Sequence, residues 1–157
     1  MNAMTLTRRA ATAIVLGLSV IAWNAGALAD EEGEIKYRKS VMKAVGGHMG
    51  AIVGILKQKT VNGANLQIHT DGMETLSGIA GSLFPEGSDF GETTVLPVVW
   101  EKPVEFAAAI KQFQDAAKGM AAAGKSGDMA KVGAAMEPLG KSCKNCHENF
   151  REKKEKK

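Results

Sequence analysis

The chain has 157 residues, 45% hydrophobic and 24% charged, with 5% aromatic, 18 Gly, 4 Pro and 2 Cys. That length suits one compact domain, and the apolar fraction with a net charge of only +3 excludes a disordered chain. Two cysteines exclude a disulfide-dense scaffold, and so small a charge gives no sign of nucleic-acid binding.

Residues 1–29 read as a cleavable signal peptide. Arg8 and Arg9 form a short positive end, residues 10–23 are mostly apolar, and Ala27-Leu28-Ala29 supplies the small residues of a cleavage site before Asp30, Glu31 and Glu32. The apolar run is shorter than the roughly 20 residues a membrane-spanning helix needs. A retained anchor is the competing reading. The paired arginines also raise a twin-arginine signal, which the residues after them fit poorly. Cleavage would leave residues 30–157 as the mature domain, with Arg8 and Arg9 lost and no acid, hence nearly neutral. The expected destination is the periplasm, with no membrane anchor after cleavage.

No strand-like alternation follows. Apolar residues recur at spacings of three and four, which is the helical signature. A first stretch over residues 32–59 carries the seam Ile35, Arg38, Met42, Val45, Met49, Ile52, Leu56, and breaks at Val61-Asn62-Gly63. A second carries Leu66, His69, Met73, Leu76, Ala80 and Leu83, stopping at Phe84-Pro85-Glu86-Gly87. Residues 85–99 read as a long loop rich in turn formers. Pro103 suits a helix first turn, and Phe106, Ile110, Phe113, Ala117 and Met120 make the third seam. Ala123-Gly124-Lys125-Ser126-Gly127 reads as a loop leading to Asp128, the expected N-cap of the last helix, whose seam is Met129, Val132, Met136, Leu139, Cys143, Cys146, Phe150. Pro138 should bend that helix or weaken one of its hydrogen bonds. The lysine-rich end from Arg151 reads as a solvated helix terminus. Four amphipathic helices with mostly short connections predict an all-α, antiparallel up-down-up-down four-helix bundle.

The string Cys143-Lys144-Asn145-Cys146-His147 carries the chemistry. Two thiols three positions apart reach the two vinyl groups of one haem, and the adjacent imidazole reaches its iron; C-x-x-C-H is the attachment signal for c-type haem. A thioredoxin-like pair would follow a strand, with a thiol acidified at a helix N-terminus. A structural zinc site would want four ligands, and the only other histidines are His48 and His69. A disulfide within one helical turn holds its sulfurs poorly. A haem-free exported bundle would have no reason to place histidine directly after the cysteine pair.

Arg38 is the one charged residue in the first seam. Either its stem snorkels to bring the guanidinium to water, or its fork pairs with a haem propionate. Met42, one turn on, is either a thioether ligand to the iron or a wall over its sixth position.

The ending Gly140-Lys141-Ser142-Cys143-Lys144-Asn145-Cys146-His147-Glu148-Asn149-Phe150-Arg151 resembles that of class II c-type cytochromes, the cytochrome c′ family. So do the opening Lys36-Tyr37-Arg38-Lys39-Ser40-Val41-Met42 and Trp100 before the third helix. The resemblance implies one haem c, thioethers at Cys143 and Cys146, and axial ligation by His147. It also implies haem-edge contacts by Arg38 and Lys39, with Arg151 the basic residue beside the proximal face. Members with an open sixth site bind nitric oxide or carbon monoxide; others use a first-helix methionine as sixth ligand and carry electrons. Electron transfer with gas binding at a five-coordinate iron is the expected function, and a low-spin His/Met carrier through Met42 is the alternative. No enzymatic activity is expected. A homodimer through the first two helices is implied, and the redox partner is unnamed.

Overall fold

A computed structural model describes residues 31–153. The signal-peptide reading of residues 1–29 and the lysines at 154, 156 and 157 lie outside that range. Four long helices and one short one follow in order: α1 (Glu31–Leu56), α2 (Leu66–Gly78), α3 (Val98–Glu101), α4 (Pro103–Lys125) and α5 (Met129–Phe150). The only β-pairing among the described residues is an isolated antiparallel bridge between Val95 and Arg151. The long helices form the four-helix bundle expected from the periodicity. Contacts run from α1 to α2, α2 to α4 and α4 to α5, while α1 meets α5 over only a short stretch.

Helix α1 stops before Lys59, where the spacing placed its end, and its C-terminus is a Schellman motif. Gln58 takes φ 53°, the Gln58 N–H donates to the Ile55 carbonyl, and the Lys59 N–H donates to the Gly54 carbonyl. The left-handed position usually belongs to glycine, so glutamine there hides the stop signal.

Helix α2 buries Leu66, Thr70, Met73 and Ser77, and a 3-10 turn (Ala80–Leu83) carries the seam on. His69 and Leu76, expected in that seam, are only half-buried, and two hydroxyls take the buried face instead. Each hydroxyl donates to its own helix, Thr70 to the Gln67 carbonyl at 3.0 Å and Ser77 to the Glu74 carbonyl at 2.7 Å. Bonded in that way, a polar side chain costs little in a core.

The third seam is buried throughout and Pro103 opens α4 as expected, but the helix runs on to Lys125. Ala123, Gly124 and Lys125 thus form its last turn where a loop was expected, held there by the burial of Ala123 and Gly124. The predicted loop over 85–99 ends earlier, because Val98 and Val99 already belong to the single turn of α3. Trp100 pins that turn, donating from Nε1 to the Phe84 carbonyl at 3.2 Å. Asp128 caps α5 by accepting from the Ala130 and Lys131 N–H groups. The helix continues through Pro138, which leaves the Ala134 carbonyl without its usual donor. Met129, read into the α5 seam, stands in the helix's first turn and is exposed.

Ile52, Met73, Ala117, Met120, Val132 and Leu139 are fully buried and fill the bundle between the four long helices. His48 of α1 meets His69 of α2 with Nδ1 atoms 3.2 Å apart. Burial, then the neighbouring imidazole, lowers the His48 pKa. Beyond Phe150 the chain leaves the helix. The Leu96 N–H donates to the Phe150 carbonyl and the Glu152 N–H to the Thr94 carbonyl. The expected solvated helix end is therefore corrected at Arg151, which is extended and stitched to the long loop because residues 94–96 supply strand-like partners.

Candidate functional site

Where α1 and α5 diverge, a cavity of about 340 Å³ opens, within the range of about 300–1,000 Å³ common for cofactor sites. Met42, Val45, Gly46 and Met49 of α1 form one wall, and Cys143, Cys146 and His147 of α5 form another. Ile110 and Phe113 of α4 also line it. Phe84, Phe106 and Phe150 pack edge to face at one side, with ring centroids 4.8 and 5.2 Å apart. Such pairs contribute about 0.5–1.5 kcal/mol each beyond area burial and hold that wall rigid. The middle of the α1 seam is only half-buried because it faces this cavity instead of a neighbouring helix.

The C-x-x-C-H string lies in the last two turns of α5, where helical spacing turns Cys143, Cys146 and His147 towards one side. Both cysteines are free and half-buried. Burial raises the Cys143 thiol, with bonds from Ser142 and the backbone opposing. Burial and then Cys143 push Cys146 up to about 11, against the pull of Arg151. Thiols held protonated in this way lack the acidified nucleophile of a thioredoxin-type pair. His147 stands exposed on the rim, yet partial desolvation of its ring, then the Arg151 guanidinium, lowers its pKa. A neutral imidazole is the form that ligates metal.

Arg38 is 3% exposed. Its Nη1 donates to the Leu83 carbonyl at 3.2 Å and Ser88 Oγ at 2.7 Å. Its Nη2 donates to the Ser88 carbonyl at 2.8 Å and Thr93 Oγ1 at 3.1 Å. The guanidinium also lies 5.2 Å from the Phe84 ring centroid. Burial lowers its pKa and Glu34 opposes that shift. The snorkelling reading is thus corrected: the guanidinium goes inward, drawn by four loop acceptors, and staples residues 83–93 to α1. It lines the cavity as well. Lys39 does the same from the exposed side, donating from Nζ to the Glu92 carbonyl. Arg151 Nε is buried with no hydrogen-bond partner, and that residue also lines the cavity.

The seven residues singled out in the sequence (Arg38, Lys39, Met42, Cys143, Cys146, His147 and Arg151) therefore surround one cavity. The loop partners Ser88 and Thr93 were not foreseen; no local pattern reports an acceptor fifty residues from its donor. The donor set fits a haem. The walls are chiefly apolar, two thiols and an imidazole share one side, and among the described residues no carboxylate lines the cavity to repel propionates. The unpaired Arg151 Nε supplies a buried donor for an anionic group.

A four-helix bundle with C-x-x-C-H turned into an apolar cavity defines the class of c-type haem proteins. Residues 33–151 match the family model described as Cytochrome C', and the chain belongs to that family. It is 38% identical over 125 residues to the cytochrome c′ of Pararhodospirillum photometricum, covering 79% of this chain and 100% of that one. It is 36% identical over 126 residues to cytochrome c-554 of Cereibacter sphaeroides, covering 76% and 92%. The crystal structure of cytochrome c′ from Rubrivivax gelatinosus superposes with a TM-score of 0.73 at 31% identity, over 78% of this chain and 97% of that chain. A nitric oxide complex of a mutant cytochrome c prime from Alcaligenes xylosoxidans also gives 0.73, at 29% identity over 80% and 98%. The cofactor is one covalently bound haem c, and the protein is a c-type cytochrome. Among the described residues no helix is long and apolar enough to cross a membrane.

Proposed function

We propose that this cytochrome works in the periplasm as an electron-transfer protein whose five-coordinate, high-spin iron also binds nitric oxide or carbon monoxide. The observation that carries the reading is the α1 wall: Met42, Val45, Gly46 and Met49 line the cavity as an apolar face whose only iron-binding atoms are the weakly ligating thioethers of Met42 and Met49. When bound, the haem supplies a one-electron couple and a vacant iron site for a diatomic gas. The protein's part is to hold and shield it. Cys143 and Cys146 tether it by thioethers, and His147 presents a neutral imidazole to the iron. Partial desolvation, and then the charge of Arg151, lowers the pKa of that imidazole, and Arg151 offers Nε to an anionic edge. Arg38 and Lys39 hold the loop over the other edge. The proposed role is electron transfer and gas binding at one iron, and we assign no enzymatic reaction.

A second reading makes Met42 the sixth ligand, because its thioether side chain also lines the cavity from α1. Electron paramagnetic resonance of the ferric protein separates the two. The five-coordinate reading expects a high-spin signal unchanged by Met42→Leu. A low-spin signal converted to high spin by Met42→Leu would establish ligation by Met42 instead. The proposal includes a homodimer through α1 and α2, supported by the exposed Ile68 on α2, with sedimentation equilibrium as its check.

A further inference from the structure

Away from the haem cavity, the two remaining histidines meet across the α1–α2 interface. They are 21 positions apart in sequence, yet their Nδ1 atoms lie 3.2 Å apart, and the rings cross edge to face at 61° with centroids at 5.4 Å. Neither residue lines the cavity. The His48 ring lies directly against Gly72 of α2: a Cβ built there would stand 2.5 Å from His48 Cε1 and 2.7 Å from Nε2. Only glycine lets the imidazole settle so close to the neighbouring helix backbone. The pair is thus seated by the fold instead of waving on the surface.

We propose that His48 and His69 form a two-imidazole site for a divalent transition-metal ion, with Cu²⁺ as its strongest occupant. Metal–nitrogen bonds of about 2.0–2.1 Å spanning a 3.2 Å separation subtend about 100–106° at the metal. That angle falls between the square-planar and tetrahedral values, so the separation of the two Nδ1 atoms suits one ion once the rings turn their lone pairs towards it. In the metal-free protein one imidazole donates from Nδ1 to the other; on binding, the donor ring exchanges that proton through water for one on Nε2, so that two neutral rings each present an Nδ1 lone pair to the ion. Both side chains are half-buried, and no group of three or more His, Cys, Asp or Glu among the described residues could hold a metal. Water therefore fills the remaining positions, and the site is open and exchangeable. Imidazole ligands and the order of divalent-metal affinities put Cu²⁺ above Ni²⁺ and Zn²⁺. A bound ion ties α1 to α2 and stabilises the helix pair by linkage.

The test is calorimetric titration of the ferric, haem-loaded protein with Cu²⁺, and then with Zn²⁺. The expected result is one ion per chain, held more tightly for Cu²⁺, with affinity at least tenfold weaker in His48→Gln and in His69→Gln. Gly72→Ala keeps both ligands but pushes the His48 ring aside, and it should weaken binding by a similar factor while circular dichroism stays unchanged. Wild-type affinity in His69→Gln would place the copper elsewhere, at the chain's amino terminus for example, and overturn the proposal. So would wild-type affinity in Gly72→Ala. The haem Soret band, read in parallel, should be the same in all variants, which separates failure of this site from failure of the haem assignment.

Discussion

Replacing Arg38 with Met keeps most of the stem and removes every donor. Four hydrogen bonds vanish, to the Leu83 carbonyl, Ser88 Oγ, the Ser88 carbonyl and Thr93 Oγ1. Bonds from a charged donor contribute about 1.5–3 kcal/mol each, but the guanidinium's own burial offsets a large part of that sum. What remains is the cost of stranding two backbone carbonyls at a buried place, about 1–3 kcal/mol each. Net destabilisation of about 2–6 kcal/mol follows. Arg38→Lys should recover less than half of it, since one ammonium cannot reach both branches of the fork. Guanidinium denaturation of the haem-loaded protein, followed by circular dichroism at helical wavelengths, measures the loss. A change below about 0.5 kcal/mol in Arg38→Met, the range of ordinary surface substitutions, would refute the stapling role.

Four further outcomes follow from the backbone. Gly124→Ala places a Cβ 2.1 Å from Oγ1 of the fully buried Thr70, so overpacking should cost about 1–3 kcal/mol. Gly119→Ala on the same helix meets nothing within 4 Å and should stabilise by about 0.5–1 kcal/mol; urea midpoints that move in the same direction for both would contradict the packing described. Gln58→Gly relieves a left-handed glutamine at φ 53° and should raise stability by up to about 1 kcal/mol in thermal unfolding. Pro138→Ala returns a donor to the Ala134 carbonyl of α5, and the melting temperature should rise.

How much of this was legible in the chain depended on distance along it. The start and seam of helix α4 were readable, because Phe106, Ile110, Phe113, Ala117 and Met120 are all apolar and all buried. Its last turn was not: Ala123, Gly124 and Lys125 read as loop because of the glycines, and tertiary packing against the core keeps them helical. In α2 the reading slipped where Thr70 and Ser77 satisfy their hydroxyls inside the helix and so pass as core, a choice that hydrophobic spacing does not register. The end of α1 was missed because Gln58 occupies a glycine position. Cys143, Cys146 and His147 were legible at once, being local and chemically specific. The loop was visible as a loop, but its bonds to Arg38 and its pairing with Arg151 are long-range, set only when the bundle closes. That closure also overturned the snorkelling reading of Arg38, whose guanidinium is inside.

The central claim is that the last helix carries one haem on its cysteine pair. Intact-mass spectrometry of the exported, denatured protein, with peptide mapping across Cys143 and Cys146, tests it most directly. The account predicts a polypeptide heavier by a single haem, linked at both cysteines, and at most one linkage in Cys146→Ala. An unmodified mass for the wild-type chain, or an unchanged two-point attachment in that variant, would contradict it.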